Sequence, residues 1–362
     1  MDELQPNDYQ RLFRVQGLRF LITDIWMGYY KLKRTLVVFS EDHFTSYLPK
    51  KVIQETLQEG LDLFLSKELF SYFRRDFLDY MSHAEKRGKE IVDKRSVTVE
   101  ECREFFNLLS DLFVYYTKTE LFYTDEAYHQ SQDNEILYNN LKELGELKNE
   151  GRERLNKFFF GKEGYLNRIL ITLNHIFAVS VQELWDYSRE EIYDLFDGKR
   201  ISAKRLQERS CFVFQGTGND VQIAVGVEAK DVAKRFEEEM KDNISEVNGI
   251  IAHKGNGKVC GKARIIKAGY DNYDQLQSII SRMNKGDILF SETTSPDLLQ
   301  ACHKAAAIVT DQGGMLSHAA ITSRELGIPC IVGTMRGTAV FKDEDFVEVD
   351  AENGIVRKVV EK

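Results

Sequence analysis

The stretch from Ala305 to Thr334, AAAIVTDQGGMLSHAAITSRELGIPCIVGT, leaves this chain little choice of local structure. Ala305 to Val309 is a short apolar run that suits a buried strand. Thr310, Asp311 and Gln312 end it in polar residues. Gly313 and Gly314 follow, residues whose backbone can take positive φ and approach a ligand closely. Ser317 stands where a helix N-cap belongs. Residues His318 to Leu326 suit a helix, and Gly327 is a natural stop. Pro329 leads into a second apolar strand, Cys330 to Val332. The spacing thus predicts strand, glycine turn, helix, strand, with His318 in the first helical turn. There the backbone N–H groups and the positive end of the helix dipole would stabilise a phosphate. The same field disfavours an imidazolium, and a neutral imidazole has a lone pair with which to act as a nucleophile. A histidine at a helix start can equally be incidental. The residues around this one point instead to a group that accepts and passes on a phosphoryl group.

The run T-D-x-G-G-x-x-S-H-A-A-I-x-x-R-E-x-G-I-P resembles the phosphohistidine swivelling (mobile) domain of phosphoenolpyruvate-utilising enzymes. That family includes phosphoenolpyruvate synthase, pyruvate phosphate dikinase and rifampin phosphotransferase. The resemblance implies that His318 is the residue phosphorylated during turnover, that Gly313 and Gly314 hold the phosphate, and that Thr310 and Ser317 assist. Lys285 to Asp297, KGDILFSETTSPD, resembles the family's "G-D-I-L-V … T-x-P-D" element. Its loop is expected beside the His318 loop, since both follow strands and open helices at one sheet edge. Thr293, Thr294 and Ser295 there offer hydroxyls for a phosphate, or simply a capped helix start. Arg324, about two turns after His318, would pair with a phosphate or a carboxylate, or form a structural ion pair.

The remaining sequence bounds the setting. A chain of 362 residues suggests two or three domains. A formal net charge of −9, with basic and acidic residues interspersed, argues against nucleic acid or an acidic membrane as partner. The five cysteines form no C-x-x-C pair, which suggests reduced thiols in a cytoplasmic protein and no zinc site. MDELQPNDYQ is too polar for a secretory signal, and no apolar run approaches the roughly 20 residues of a membrane span. Prolines are nearly absent between residues 50 and 295, which favours long helices.

Apolar spacing predicts a helix across residues 10–40, with Leu36 to Phe39 ending it or forming a short strand. Further helices are expected over 50–90, from Thr98 to Tyr116, over 131–160 with an interruption near Gly151, and over 164–178. The aromatic stripes in these helices suit core packing or an aromatic-lined pocket. Ser188 with Glu191 is a capping-box pattern, and Gly198 stops that helix. Cys211 to Val225 reads as a hairpin, followed by a charged helix over 229–242. A hinge is expected between about 243 and 256, with His253 inside it. The chain should close on an Asn353-Gly354 hairpin. The expected fold is α+β and multidomain. A mainly helical domain over 1–245, binding acceptor or partner, precedes a β/β/α swivelling domain over 248–362.

In full-length enzymes of the resembled family, an ATP-grasp domain phosphorylates the histidine using ATP and a metal ion. The histidine domain then rotates and delivers the group to pyruvate, water or a drug hydroxyl. This chain shows no ATP-grasp loop and lacks the length for the pyruvate-binding barrel. The resemblance therefore implies a phosphotransferase component that is inactive alone. Mg2+ and ATP would sit on a separate ATP-grasp subunit, no metal on this chain, and a small molecule would be the phosphate acceptor. A non-catalytic binding or regulatory module built on the swivelling fold is one alternative. A phosphocarrier like enzyme I of the sugar phosphotransferase system is another.

Overall fold

A computed structural model describes residues 1, 4–159, 163–238, 246–266, 276–294, 296–315 and 317–360. The chain divides into two compact units, one of residues 1–10 and 16–239, the other of residues 11–15 and 240–362.

The chain opens with β1 (Tyr9–Gln16), whose residues 11–15 are grouped with the second unit, and the first unit goes on with α1 (Phe20–Tyr30), β2 (Leu36–Ser40) and β3 (His43–Pro49). The helix expected across residues 10–40 is thus only α1, flanked by strands. Gly17 breaks the chain before it, at φ +81. Leu36 to Phe39 are buried on both faces, as in a central strand, and a continuous apolar run carries no period to distinguish strand from helix. With β4 (Phe212–Gly216) and β5 (Val221–Val225) these strands form a five-stranded sheet in the order β1-β3-β2-β4-β5. Leu36, Val38 and Val213 face one side, and a helix over Gly226–Glu238 packs on them through Ala229, Val232 and Phe236. Phe212 and Phe214 face the other, edge-on to Phe20 of α1, and Phe39 stacks on Phe212 at 4.6 Å.

Between β3 and β4 lie the helices α2 (Lys50–Leu65), α3 (Lys67–Val92), α4 (Val99–Thr117), α5 (Leu121–Gln130), α6 (Glu135–Phe159) and α7 (Tyr165–Phe177). Three short ones follow, α8 (Val181–Leu184), α9 (Arg189–Asp194) and α10 (Ala203–Glu208), and the helix after β5 is α11. Thr98 and Ser188 both close capping boxes, with Glu101 and Glu191. Gly198 ends its segment at φ +76. The aromatic stripes pack against each other: Phe77 stacks on Tyr115, Trp26 lies parallel to Phe113 at 4.3 Å, and Phe64, Phe70, Phe105, Phe106 and Phe158 are buried. Contrary to the expected break, α6 runs straight through Gly151. A Cβ there would lie 3.0 Å from the Phe77 ring, so this glycine lets the helices approach closely.

The second unit contains β6 (Glu246–Asn248), β7 (Ile250–His253), β8 (Lys258–Ile265), β9 (Ile288–Ser291), β10 (Ala307–Thr310), β11 (Cys330–Val332), β12 (Phe346–Asp350) and β13 (Ile355–Lys358). Its helices are α12 (Leu276–Ser281), α13 (Leu299–Lys304), α14 (His318–Leu326) and α15 (Gly337–Val340). The strand order is β6-β13-β12-β8-β9-β10-β11-β7. Strands β8 to β11 run parallel, and β7 is antiparallel to β11. Residues 246–253, where a hinge is expected, are therefore mostly strand. His253 pairs opposite Cys330, and its Nδ1 lies 2.9 Å from the Ile328 carbonyl oxygen.

Alternation along β9 to β11 builds two cores. Leu289, Ile308, Cys330 and Val332 face α12 to α14. Ile288, Phe290, Ala307, Val309 and Ile331 face Val347, Val349 and Val356 of β12 and β13. The unit is thus layered strand, strand, helix, and the chain as a whole is α+β. The closing hairpin forms as expected, with Gly354 at φ +73. All five cysteines are free. Four are buried, while Cys260 on β8 is exposed. No helix among the described residues is long and apolar enough to cross a membrane.

Candidate active site

The parallel strands β9, β10 and β11 end at one edge, and the loops after them meet there. That carboxyl edge is where open α/β sheets take ligands. The loops are laced together by backbone bonds. Asp311 N–H donates to the Ser291 carbonyl and Gln312 N–H to that of Glu292, at 3.1 and 2.9 Å. Thr334 N–H donates to Thr310 and Met335 N–H to Asp311, at 3.0 and 2.9 Å.

His318 opens α14. Ser317 caps the helix, its Oγ accepting from Ala320 N–H at 3.3 Å. Its own N–H donates to the Gly314 carbonyl at 3.0 Å. Gly313 takes φ +118, and a Cβ there would sit 3.0 Å from the Ser317 side chain. Only glycine fits that turn without strain. Thr310 Oγ1 donates to the Gln312 carbonyl. That bond gives Thr310 a place in the turn that positions Gly313. Gly327 ends α14 at φ +69.

Thr294, in the β9 loop, is buried, and its Oγ1 lies 3.1 Å from His318 Nδ1. The two loops are thus in hydrogen-bonding contact. Ser295 lies outside the described residues. Thr293 Oγ1 lies 3.5 Å from the Thr294 carbonyl. Arg324 reaches two backbone carbonyls. Its Nη2 donates to the Met315 carbonyl at 2.9 Å and its Nη1 reaches that of Ala252 at 3.5 Å, so it braces the glycine loop from the helix side.

The sequence marks Asp311 only as a strand end, yet this residue organises the third loop. Its buried carboxylate accepts from Thr334 Oγ1 at 3.0 Å and from the N–H and hydroxyl of Thr338. Burial raises its carboxyl above the ordinary range, against the pull of the Thr338 and Thr334 bonds. A Cβ on Gly337 would lie 3.0 Å from Asp311 Oδ1. Met335 sits between them at φ +66, a conformation that costs a non-glycine residue about 1 kcal/mol or more. The signal is present as the doubled G-T in Gly333-Thr334-Met335-Arg336-Gly337-Thr338, but nothing in it names Asp311 as the partner.

The arrangement can hold an anion against the α14 N-terminus and fix an imidazole by its Nδ1 edge. Among the described residues no group of three or more histidine, cysteine, aspartate or glutamate side chains is placed to hold a metal ion.

A probable phosphoenolpyruvate synthase from Archaeoglobus fulgidus is 45% identical over 143 residues, 38% of this chain and 18% of that protein. The phosphoenolpyruvate synthase of Pyrococcus furiosus is 41% identical over 124 residues, 34% of this chain and 14% of that protein. The matched regions thus span less than a fifth of these relatives. A solution structure of an Enzyme I protein aligns over 97% of this chain and 91% of that one, at 15% identity and a TM-score of 0.23, too slight a likeness to argue from. Residues 283–354 match the family described as "PEP-utilising enzyme, mobile domain". The segment that carries His318 and its three loops is therefore a mobile domain of the phosphoenolpyruvate-utilising enzymes.

Proposed function

We propose that the chain is the phosphoryl-carrying component of a phosphoenolpyruvate synthase-like or rifampin phosphotransferase-like system. The contact of His318 Nδ1 with Thr294, at the N-terminus of α14, is the observation that carries this reading. If Nδ1–H donates to Thr294, the imidazole lone pair is on Nε2. Nε2 attacks the phosphorus of a phosphate ester or anhydride. The P–N bond forms as the donor's P–O bond breaks, and the donor oxygen leaves with the electron pair. In the second step an acceptor oxygen attacks the same phosphorus, its proton passes to solvent or a base, and the P–N bond breaks to return the neutral histidine. Backbone N–H groups of the Gly313–Gly314 loop and of the first turn of α14 face the phosphoryl oxygens, with Ser317 and Thr310 setting their geometry.

In this reading the donor is ATP with Mg2+ on a separate ATP-grasp-type protein, and the final acceptor is a small molecule. The compartment is the cytoplasm, where buried thiols stay reduced. The first unit binds the acceptor or the nucleotide-bearing partner, and the chain is silent without that partner. Support comes from the relatives, which are named synthases of phosphoenolpyruvate.

The test is phosphate labelling of the purified chain in extract of its source organism. ATP labelled at the β or the γ position and phosphoenolpyruvate serve as donors, and His318→Ala as control. Acid-labile, base-stable label on the wild type alone is expected, and the labelled position shows which phosphate is passed on. No label from any donor would leave a binding module without chemistry.

A further inference from the structure

The first unit holds a cavity of about 350 Å3 lined entirely by its own residues. Its origin lies in the sheet. The face of β4 that carries Phe212 and Phe214 is covered by Phe20 of α1. One strand further, at the edge strand β5, that cover ends. Ile223 is 47% exposed, and with Val225 and Phe20 it forms an apolar floor. The wall is built by α10 and the residue after it, with Lys204, Arg205 and Glu208 at the rim.

Arg209 closes the deep end. It is 3% exposed, and its guanidinium carbon lies 3.8 Å from the centroid of the Phe20 ring. Its terminal nitrogens are engaged by the Glu191 carboxylate and the Asp186 carbonyl. Its Nε–H has no hydrogen-bond partner. An oxygen that reached this donor would supply the hydrogen bond it lacks. The exposed side chains of Lys204 and Arg205 have room to give way to it. Ser188 and Ser202 line the same space. Each hydroxyl accepts from a helix N–H, and a hydroxyl used in this way still has a proton to donate.

We infer that this cavity is a binding site for a small organic monoanion, a carboxylate carried on an apolar body. The lining sets Lys204, Arg205 and Arg209 against Glu208, and Glu191 pairs with both arginines, so three cations meet two carboxylates and one positive charge is left for a single negative charge. One available N–H on Arg209 and two hydroxyls suit the oxygens of a carboxylate better than the three of a phosphate. The floor of Phe20, Ile223 and Val225 asks for an apolar body, and the volume lies in the range of small-molecule sites. The site is independent of the chemistry at His318.

The test uses methyl-resolved NMR on the full chain, titrated with benzoate, benzyl alcohol and acetate. Benzoate is expected to shift the Ile223 and Val225 methyl signals saturably, and to bind at least about tenfold more tightly than either the alcohol or acetate. Ile223→Glu sets a carboxylate on the exposed floor without disturbing a core, and should weaken benzoate by about tenfold or more through like-charge repulsion. Arg209→Lys should weaken it likewise, while His318→Ala should leave it unchanged. Absence of saturable shifts would overturn the site. Equal binding of benzyl alcohol would overturn the anion, and equal binding of acetate the apolar body. Loss of binding in His318→Ala would move the site to the mobile domain and overturn the assignment here.

Discussion

At His318 the chemistry is local in the chain, which is why the sequence alone reveals it. Ser317, Gly313 and Gly327 shape the helix start and end within a few residues of it. Between distant segments the sequence yields at most the juxtaposition of the Thr294 and His318 loops, not the individual contacts. Thr294 meets the imidazole from 24 residues away, and Asp311 finds its partners 23 and 27 residues on. Two predictions separate these layers. Thr294→Val removes the Nδ1 contact but keeps the shape. Labelling of His318 should slow by about tenfold, the factor for 1.4 kcal/mol of lost orientation, with thermal stability nearly unchanged. An unchanged labelling rate would show that Thr294 does not orient the ring. Asp311→Ala instead strands the Thr338 N–H inside the protein. A loss of about 2–3 kcal/mol in urea unfolding is expected, because the loop after β11 loses its anchor.

Between elements, glycines act where propensity alone would mislead. Gly60 lies in the middle of α2, where alanine is the better helix former by about 1 kcal/mol. A Cβ there would fall 1.7 Å from the Tyr123 carbonyl oxygen of α5, and backbone cannot step aside. Gly60→Ala should therefore destabilise the chain by about 2–3 kcal/mol or more, seen as a lowered urea midpoint. A stabilised variant would show that the α2–α5 contact yields. Asp125 of α5 carries a different load. Burial raises its carboxyl to about 6, against the lowering pull of His129 and Lys148. The folded state thus holds the proton to higher pH than the unfolded chain, whose aspartate titrates near about 4. Its stabilising contribution is complete below about pH 4 and lost as pH rises through about 6. The stability of the wild type relative to Asp125→Asn should fall by at most about 3 kcal/mol between pH 4 and pH 7. A flat difference would mean the carboxyl titrates normally. Strand β2 is hidden from sequence for a kindred reason: burial on two faces erases periodicity, and its pairing partners Phe212 to Gln215 lie some 175 residues away.

Taken whole, the molecule has separate cores in its two units, one around the stacked rings of α3 and α4 and one around β9 to β11. Calorimetric unfolding should depart from a single two-state transition. Phe77→Ala and Phe290→Ala, each emptying a fully buried ring position, should each depress a different transition by about 3–5 kcal/mol. One shared transition responding to both would show that the cores melt together. The α+β class and the C-terminal mobile domain are readable from sequence because one motif carries them. The sheet of the first unit is not, since its strands are split by the helices between β3 and β4. The cysteines supply a last consequence. Burial pushes the thiols of Cys211 and Cys302 up to about 11 and that of Cys330 to about 12, and Cys102 higher still, whereas Cys260 stands exposed on β8. Cys260 is thus a single chemical handle on the second unit. A maleimide fluorophore would attach there in the native protein without removing any other cysteine, and would report on the second unit alone.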